Sequence, residues 1–233
     1  MKNLIYILGI CGILSAGFSC SDMNDMHDKY MVDGETIYVG RVDTVMTYPG
    51  RERVLIKYKL TDPRVKEVTI YWAQKTQSVT VEIPAHQPED IMEVMIGDKE
   101  NPLPENDYTF QFYSFDKKEH RSVKYETIVS VYGDRFQATL SNRPVKVAKK
   151  TSNANELSVT WGGSSNDKEI GVTVFFTDKS GESSDTFIEK SLLEKEVLLK
   201  EIDLTKDIFY QTLFLPQPEA IDTFAVEKKE IQF

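Results

Sequence analysis

Short runs of alternating apolar and polar residues, separated by turn-forming residues, fill the chain from Thr36 to its last residue. In RVLIKYKL, for example, Val54, Ile56 and Tyr58 share one side of an extended chain, and the residues between them share the other. No segment shows the 3.6-residue period of an amphipathic helix. The pattern therefore predicts an all-β chain in which each strand buries one face.

The predicted strands fall into two sets. Seven runs lie within residues 36–132, which is the number and spacing typical of an immunoglobulin-like sandwich. The alternation stops over residues 133–143 and restarts over residues 144–233. We therefore predict two tandem immunoglobulin or fibronectin type III-like β-sandwiches joined by a short segment. Within them, TIYVGRVDTVMTY is expected to be a strand pair with a bulge around Gly40, and the last strand to run through IDTFAVEKKEIQF.

Two tyrosines open aromatic strands directly after a turn. LPENDYTFQF, residues 103–112, resembles the tyrosine corner of fibronectin type III modules, in which the phenol hydroxyl bonds to backbone upstream. DLTKDIFYQTLFL, residues 203–215, repeats the arrangement, with Leu204 upstream of Tyr210. We expect Tyr108 and Tyr210 to be structural residues and not ligand contacts.

The chain begins with an apolar leader. Lys2 precedes an apolar stretch over residues 4–14, which has about the length of a signal-peptide core and is too short to span a bilayer as a helix. The small residues that follow lead to Cys20, which resembles a bacterial lipoprotein signal cleaved before a lipidated cysteine. Gly17 departs from the leucine usual three residues upstream. We predict a lipoprotein signal peptide over residues 1–19 and lipidation of Cys20.

Ordinary cleavage by a soluble-export peptidase is the alternative, because Gly17 and Ser19 are both small. Lipidation is favoured because an exposed free thiol at Cys20 would be a liability. The acidic tether over residues 20–35 resembles the export tag of surface-exposed Bacteroidota lipoproteins, and a flexible solvated linker is the simpler interpretation. The expected location is the outer membrane, with a lipid anchor and cell-surface exposure, or else the periplasmic face.

Charge and cysteine content exclude several classes of protein. The formal net charge is -9 and the pI about 5.0, so nucleic acid is not an expected partner. The two cysteines, Cys11 and Cys20, lie in or beside the leader. The body of the chain therefore contains neither a disulfide nor a thiolate metal site.

The residue types needed for catalysis are scattered. His27, His86 and His120 fall in the tether and in two different predicted loops, and they lack metal-ligand spacing. Such loop histidines are expected to be solvated. The nucleophile-elbow, Walker and dinucleotide-binding motifs do not occur. The sequence predicts a non-catalytic protein with no metal and no cofactor.

Aromatic side chains are the best candidates for ligand contacts, because they dominate many binding hot spots. Trp72 and Trp161 fall on inward-facing positions and are expected to pack in the cores as structural residues. Tyr113 and Phe115 face the other way, and Phe136 lies in the joining segment. These three are the candidate ligand or interface residues.

The joining segment offers another interpretation for Phe136. Together with Leu140, it can wedge between the two sandwiches, and this is the default expectation. Arg135 and Arg143 can form ion pairs in the same segment instead of meeting a ligand.

Four phrases of the chain together resemble one protein family. They are CSDMNDMHDKYMVDGETIYVGRVDTV, TDPRVKEVTIYW, RSVKYETIVSVYGDRFQATLSNRPV and TLFLPQPEAIDTF, and the likeness covers nearly the whole mature chain. The third phrase is its most specific part. The family is a Bacteroidota outer-membrane lipoprotein family of unknown function, domain-of-unknown-function family 4998. The resemblance implies an outer-membrane lipoprotein and supplies no catalytic residue.

Architecture and anchoring together predict a non-catalytic accessory recognition module. It would contact the membrane through its lipid and bind a glycan or a surface protein through loops or strand edges. A structural spacer or adhesin component with no small-molecule site is the alternative. A glycan-active hydrolase is a third interpretation, for which acidic pairs are the only support.

Overall fold

The computed structural model describes residues 37–164 and 166–233. The predicted signal peptide, Cys20 and His27 lie outside the described residues. Val39–Phe233 form one compact unit. No helix found in the described ranges has the length and apolar character that crossing a bilayer requires.

The first sandwich has seven strands: β1 (Asp43–Pro49), β2 (Val54–Lys59), β3 (Val65–Trp72), β4 (Gln77–Glu82), β5 (Ile91–Ile96), β6 (Asn106–Asp116) and β7 (Tyr125–Val131). One sheet has the order β1-β2-β5 and the other β4-β3-β6-β7, with all pairs antiparallel. The inner faces of both sheets contribute to a single apolar core.

The alternation seen in the sequence builds this core. Val54, Ile56 and Tyr58 of β2 are fully buried, in one cluster with Phe110 and Phe112 of β6. The rings of Tyr58 and Phe112 meet edge-on with centroids 6.2 Å apart. Burial raises the pKa of Tyr58 to about 12. Each fully buried apolar side chain of this size contributes roughly 1.5–3 kcal/mol.

The second sandwich repeats the plan with β8 (Val145–Lys150), β9 (Glu156–Trp161), β10 (Glu169–Thr177), β11 (Ser183–Glu189), β12 (Val197–Lys200), β13 (Phe209–Phe214), β14 (Phe224–Ala225) and β15 (Lys229–Glu230). Its sheets have the orders β12-β9-β8 and β11-β10-β13-β14, and β15 also pairs with β13. The first, second and fifth strands thus share one sheet in both sandwiches. This is fibronectin type III connectivity, and the all-β fold prediction is confirmed.

The two ends of the strand pattern differ from expectation. Residues 37–48 do not form a strand pair around Gly40; the single strand β1 begins at Asp43, and its register shift lies between Asp43 and Met46. Gly40 donates its N–H to Asp62 Oδ2 at 2.8 Å. The expected last strand is divided into the short strands β14 and β15.

The segment without alternation contains a short helix, α1 (Asp134–Ala138). The first turn of α1 is capped by Glu105. The Glu105 carboxylate accepts hydrogen bonds from the backbone N–H groups of Arg135 and Phe136 at 2.8 and 3.0 Å. A carboxylate at this position satisfies N–H groups that have no partner within the helix. Arg135 also forms an ion pair with Glu105, with Nε and Oε2 3.8 Å apart.

The turn between β1 and β2 contacts the loop between β13 and β14. Arg53 donates from Nε and Nη2 to Asp222 at 2.8 and 2.5 Å, and the Arg51 backbone N–H donates to the same carboxylate at 2.9 Å. The N–H of Ile221 donates to the carbonyl of Pro49 at 2.8 Å. We call this set of contacts the junction.

An aromatic cluster extends the junction. The ring of Phe136 lies edge-on to the rings of Tyr132 and Phe224, each with centroids 5.0 Å apart. Leu140 is buried in the same cluster. Gln137 of α1 donates from Nε2 to the carbonyl of Ala225 at 2.9 Å. Both apolar and polar contacts therefore connect the two sandwiches.

Arg143 enters the second sandwich just before β8 and is 1% exposed. Its guanidinium donates to Glu169 at 2.8 Å, to Glu194 at 2.6 Å and to the carbonyl of Gly162 at 2.7 Å. Burial alone would lower the pKa of Arg143, but the hydrogen bonds to Glu194 and Glu169 outweigh it and raise that pKa. Arg143 is thus an internal ion-pair residue.

Candidate functional site

The solvent-facing side of the sheet formed by β3 and β6 carries two tyrosines. In the strand register Thr69 pairs with Tyr113 and Tyr71 with Gln111, so the side chains of all four lie on one face. The rings of Tyr71 and Tyr113 meet edge-on, with centroids 5.9 Å apart. Each tyrosine is partly exposed. The pair forms an aromatic surface on this sheet face.

Two cations converge on Tyr113. The Nζ of Lys75 lies 5.1 Å from the ring centroid and 3.3 Å from the hydroxyl of Tyr113, and 6.0 Å from the ring centroid of Tyr71. The Cζ of Arg121 lies 5.0 Å from the ring centroid of Tyr113. The three distances to ring centroids are within the range of cation–π attraction. We call Tyr71, Lys75, Gln111, Tyr113 and Arg121 the outer aromatic face.

Neither cation of this face has a carboxylate partner within the described part of the chain, because the ion pairs found there all involve other basic side chains. Lys124, which lies nearby before β7, pairs with Glu126 at 2.7 Å. The positive charges of Lys75 and Arg121 are thus held over tyrosine rings, and neither forms an ion pair with an acidic side chain of the described residues. This contrasts with the net charge of -9 on the whole chain.

A left-handed turn places Lys75 at the outer aromatic face. Ala73, Gln74 and Lys75 have φ values of 48°, 56° and 66°, which non-glycine residues adopt rarely. The hydroxyl of Thr76 donates to the carbonyl of Ala73 at 2.6 Å and braces the turn. Three consecutive residues in this conformation represent strain, which folds tend to store at functional sites.

The same turn is closed by Trp72. The indole Nε1 of Trp72 donates to Oε1 of Gln77 across the hairpin at 2.6 Å, and its ring packs against Phe110 with centroids 6.0 Å apart. Trp72 is therefore a half-buried bracing residue between the core and the turn. Trp161, by contrast, is 3% exposed, and its ring meets Tyr210 edge-on at 5.1 Å.

A cavity of about 540 Å³ lies beside the turn. Tyr71 and Lys75 line one part of it, and Asp107, Thr109 and Gln111 of β6 line another. Its volume is within the range of small-ligand sites, about 300–1,000 Å³. Most of these groups carry hydrogen-bonding atoms, so the cavity suits a polar ligand. The carboxamide Oε1 of Gln111 is buried and has no hydrogen-bond partner among the described residues.

Phe115 lies farther along the same face in different surroundings. It lines a depression with Glu67 and Glu82, which are directly opposite each other on β3 and β4. Phe115 therefore has Glu67 opposite it on β3 and Arg121 beside it through a backbone bridge. Of the three aromatic candidates, Tyr113 is in the outer aromatic face, Phe115 is at its acidic border, and Phe136 lies in the junction.

The two candidate corner tyrosines use their hydroxyls differently. Tyr108 donates to the carbonyl of Pro104, four residues upstream, at 2.8 Å, which is the geometry of a tyrosine corner. Tyr210 does not bond to its own upstream loop around Leu204. It donates to the carbonyl of Arg143 at 2.9 Å, so it fastens the segment that enters the second sandwich.

The described histidines occupy separate places. His86 is buried, with 8% exposure, which differs from the solvated position expected; its Nδ1 lies 3.1 Å from the carbonyl of Pro84. His120 is half-buried, with Nδ1 2.8 Å from Asp116 Oδ2. Across residues 37–164 and 166–233, no group of three or more His, Cys, Asp or Glu side chains is arranged to hold a metal ion.

Sequence patterns could have identified only some residues of this site. Tyr71 stands between the inward residues Ile70 and Trp72, so alternation alone could have identified it as an outward aromatic residue. Lys75 could not be found in this way, because AQK lacks the glycine or asparagine that normally signals a left-handed turn.

Comparison with protein families identifies the chain. The model of DUF4998, a domain of unknown function, matches residues 20–224. The chain belongs to DUF4998. The family resemblance seen in the four sequence phrases is thereby confirmed. A search of curated proteins found no match to this DUF4998 chain.

Solved structures similar to this DUF4998 chain contain fibronectin type III domains. The FN1–FN3 domains of chicken CNTN1 are 10% identical, with a TM-score of 0.44 over 83% of this chain and 65% of that one. A two-domain segment of chicken tenascin is 10% identical, with a TM-score of 0.31 over 82% and 97% of the two chains. The central fibronectin-III array of RIM-binding protein is 10% identical, with a TM-score of 0.31 over 82% and 68%.

Proposed function

We propose that this DUF4998 chain is a non-catalytic recognition protein that binds its ligand through the outer aromatic face. The observation that carries the proposal is the pair of partly exposed tyrosines, Tyr71 and Tyr113, with two cations that lack carboxylate partners in the described structure. Tyrosine and arginine are enriched among residues that dominate binding energy. A tyrosine surface on a rigid sheet also loses little conformational entropy on binding.

The positions of the described histidines support a binding role over catalysis. His86 is buried against Pro84, and His120 is engaged by Asp116 in another loop. Neither histidine lines the cavity beside the outer aromatic face. A general base would need to be within hydrogen-bond reach of the reacting group.

We further propose that the protein acts at the outer membrane, anchored through lipid on Cys20 and displayed at the cell surface. The leader and the acidic residues after Cys20 support this location. Several acyl chains, at about 0.8 kcal/mol per buried methylene, would hold the chain firmly on the membrane. The outer aromatic face belongs to the sandwich that follows the tether in sequence.

A glycan array probed with the full-length chain in detergent tests the proposal. We expect binding that is lost in the double variant Tyr71→Ala/Tyr113→Ala. The matched control is Phe233→Ala, since Phe233 is also an exposed aromatic residue with a lysine over its ring, Lys150 Nζ at 5.3 Å. Equal binding by the double variant and the wild type would overturn the role of this face. Turnover of a polysaccharide panel would favour the hydrolase interpretation.

The junction favours a second candidate function, a structural spacer. Arg53, Asp222 and the aromatic cluster connect the sandwiches through contacts from distant parts of the chain. A spacer needs such fixed geometry and needs no ligand. Absence of glycan binding by the wild type, together with unchanged behaviour of the Tyr71→Ala/Tyr113→Ala variant, would favour this function.

A further inference from the structure

The cations of the outer aromatic face differ from four other basic side chains of the first sandwich. Arg53, Lys57, Arg64 and Lys124 are each paired with an acidic side chain. The charges of Lys75 and Arg121 are directed at the Tyr113 ring instead. An anion that bound at either cation would not have to displace a carboxylate of the described residues.

The two cations also reach Tyr113 from opposite directions along β6. Lys75 follows β3, beyond the pair formed by Tyr71 and Gln111, whereas Arg121 precedes β7 and pairs through its backbone with Phe115. The anion-binding region is therefore centred on Tyr113 and bounded at both ends. At the Phe115 end, Glu67 and Glu82 would repel an anion that moved farther along the face.

The backbone holds Lys75 in this position at a cost. Its φ of 66° belongs to a turn of three left-handed residues, closed by the hydrogen bond between Trp72 and Gln77. This turn sets the backbone position of Lys75, and from that position its side chain lies over the rings of Tyr71 and Tyr113. Positioning of this kind reduces the entropy lost when a ligand engages the lysine.

The neighbouring cavity has a different chemistry, which a ligand with both charged and hydroxyl groups would match. Asp107 accepts a hydrogen bond from Ser130 at 2.6 Å and can accept further hydrogen bonds from hydroxyls. Thr109 and Gln111 also line the cavity. Tyr71 borders both regions and presents an aromatic ring on which the apolar side of a sugar can lie.

We infer that the outer aromatic face binds an anionic carbohydrate, with its carboxylate or sulfate groups contacting Lys75 and Arg121 on either side of Tyr113 and a neighbouring sugar ring in the cavity beside Tyr71. This inference rests on the proposed recognition function and specifies its ligand class. Carboxylates and sulfates share the chemistry that these cations recognise through charge-assisted hydrogen bonds. The experiment therefore includes both.

The test measures binding of the full-length chain in detergent to immobilised polygalacturonate, heparin and dextran. Polygalacturonate presents carboxylates, heparin presents sulfates, and dextran is neutral. We expect binding to at least one anionic polymer, weaker binding at higher salt, and at least tenfold preference over dextran. Lys75→Gln and Arg121→Gln should each reduce anionic binding at least tenfold, whereas Lys75→Arg should retain most of it.

The matched control is Lys149→Gln, which removes one positive charge from an exposed position on β8 in the second sandwich. It should bind like the wild type. An equal loss with Lys149→Gln would mean that net charge alone governs binding, and would overturn the inference. Thermal unfolding of each variant shows whether the substitution has destabilised the protein. If Lys75→Gln is destabilised, the test rests on Arg121→Gln and on retained binding by Lys75→Arg.

The outcomes separate this inference from the proposed function. Binding to dextran or other neutral glycans that requires Tyr71 and Tyr113 but not Lys75 or Arg121 would overturn the anionic specificity and leave the recognition function in place. Binding to a protein partner through Tyr71 and Tyr113 would also overturn the carbohydrate specificity and leave the recognition function in place. Loss of all dependence on Tyr71 and Tyr113 would overturn both.

Discussion

Arg53 and Asp222 are 169 residues apart in sequence, and their side chains meet through two hydrogen bonds of 2.8 and 2.5 Å. This pair connects the first turn of the first sandwich to the loop before the final strands of the second. The backbone bond from Ile221 to Pro49 lies beside it. The junction is thus made by groups that no local pattern would bring together.

The first prediction concerns the strength of this pair. Arg53→Gln and Asp222→Asn should each destabilise the protein, and a double-mutant cycle should give a coupling of about 0.5–1 kcal/mol, since the pair is bidentate but only partly buried. Urea unfolding followed by circular dichroism measures it. The same cycle on Lys57 and Glu93, within one sheet, should give a smaller value. Additive effects of the Arg53 and Asp222 substitutions would contradict the assigned role.

Acid should weaken the junction. The hydrogen bond from Arg53 lowers the pKa of Asp222, burial opposes this, and the N–H of Arg51 lowers the pKa further. Because the folded-state pKa is below the unfolded value of about 3.9, this stabilisation is fully present above that value and is lost as pH falls toward the folded pKa. The difference in unfolding free energy between wild type and Asp222→Asn should be constant from about pH 7 to 5 and shrink below about pH 4. A constant difference down to the lowest pH would contradict this assignment.

Gly50 permits the close approach of the two sandwiches. A Cβ at this position would be 2.4 Å from Asp222 Oδ2 and 2.9 Å from Ile221 Cγ1. Gly50→Ala should therefore destabilise the protein by about 1–3 kcal/mol in denaturant unfolding, as overpacking does elsewhere. Gly163→Ala is the control, because a Cβ there meets nothing within 4 Å. Similar stability of the two variants would show that the junction can shift without cost.

The fold was predictable because alternation reports which side of a strand is buried. Val54, Ile56 and Tyr58 are an example, since all three are in the core. The junction was not predictable in this way, although two of the phrases that resemble DUF4998, residues 121–145 and 212–224, meet there. Contacts between distant segments depend on how complete sandwiches pack, and a period of two residues carries no information about that.

The candidate site could likewise be predicted only in part from the sequence. Tyr113 was identified from its outward position, and Tyr71 could have been. Lys75 depends on a left-handed turn formed by ordinary residues, so local propensity points away from the observed backbone. The corner predicted at Tyr210 was wrong for a similar reason, because the hydrogen-bond partner of this tyrosine, the Arg143 carbonyl, is 67 residues away.

The two tyrosine hydroxyls should differ in their contribution to stability. Tyr210 is 1% exposed, and its loss would leave the Arg143 carbonyl without this donor, so Tyr210→Phe should cost about 1–3 kcal/mol. Tyr108 is only half-buried and water can reach its partner Pro104, so Tyr108→Phe should cost about 0.5–1 kcal/mol. Urea unfolding of both variants gives the comparison. A larger cost at Tyr108 would reverse the assigned importance of the two contacts.

The proposed lipid anchor depends on one atom, the sulfur of Cys20. If the leader is a lipoprotein signal, Cys20→Ala removes the thiol that receives the lipid, and the protein should lose fatty-acid labelling and leave the outer-membrane fraction. The matched control is Cys11→Ala, which changes the other cysteine but lies within the leader that cleavage would remove. It should leave labelling intact. Labelling that persists in Cys20→Ala would instead support ordinary export without a lipid anchor, and the recognition surface would then act away from the membrane.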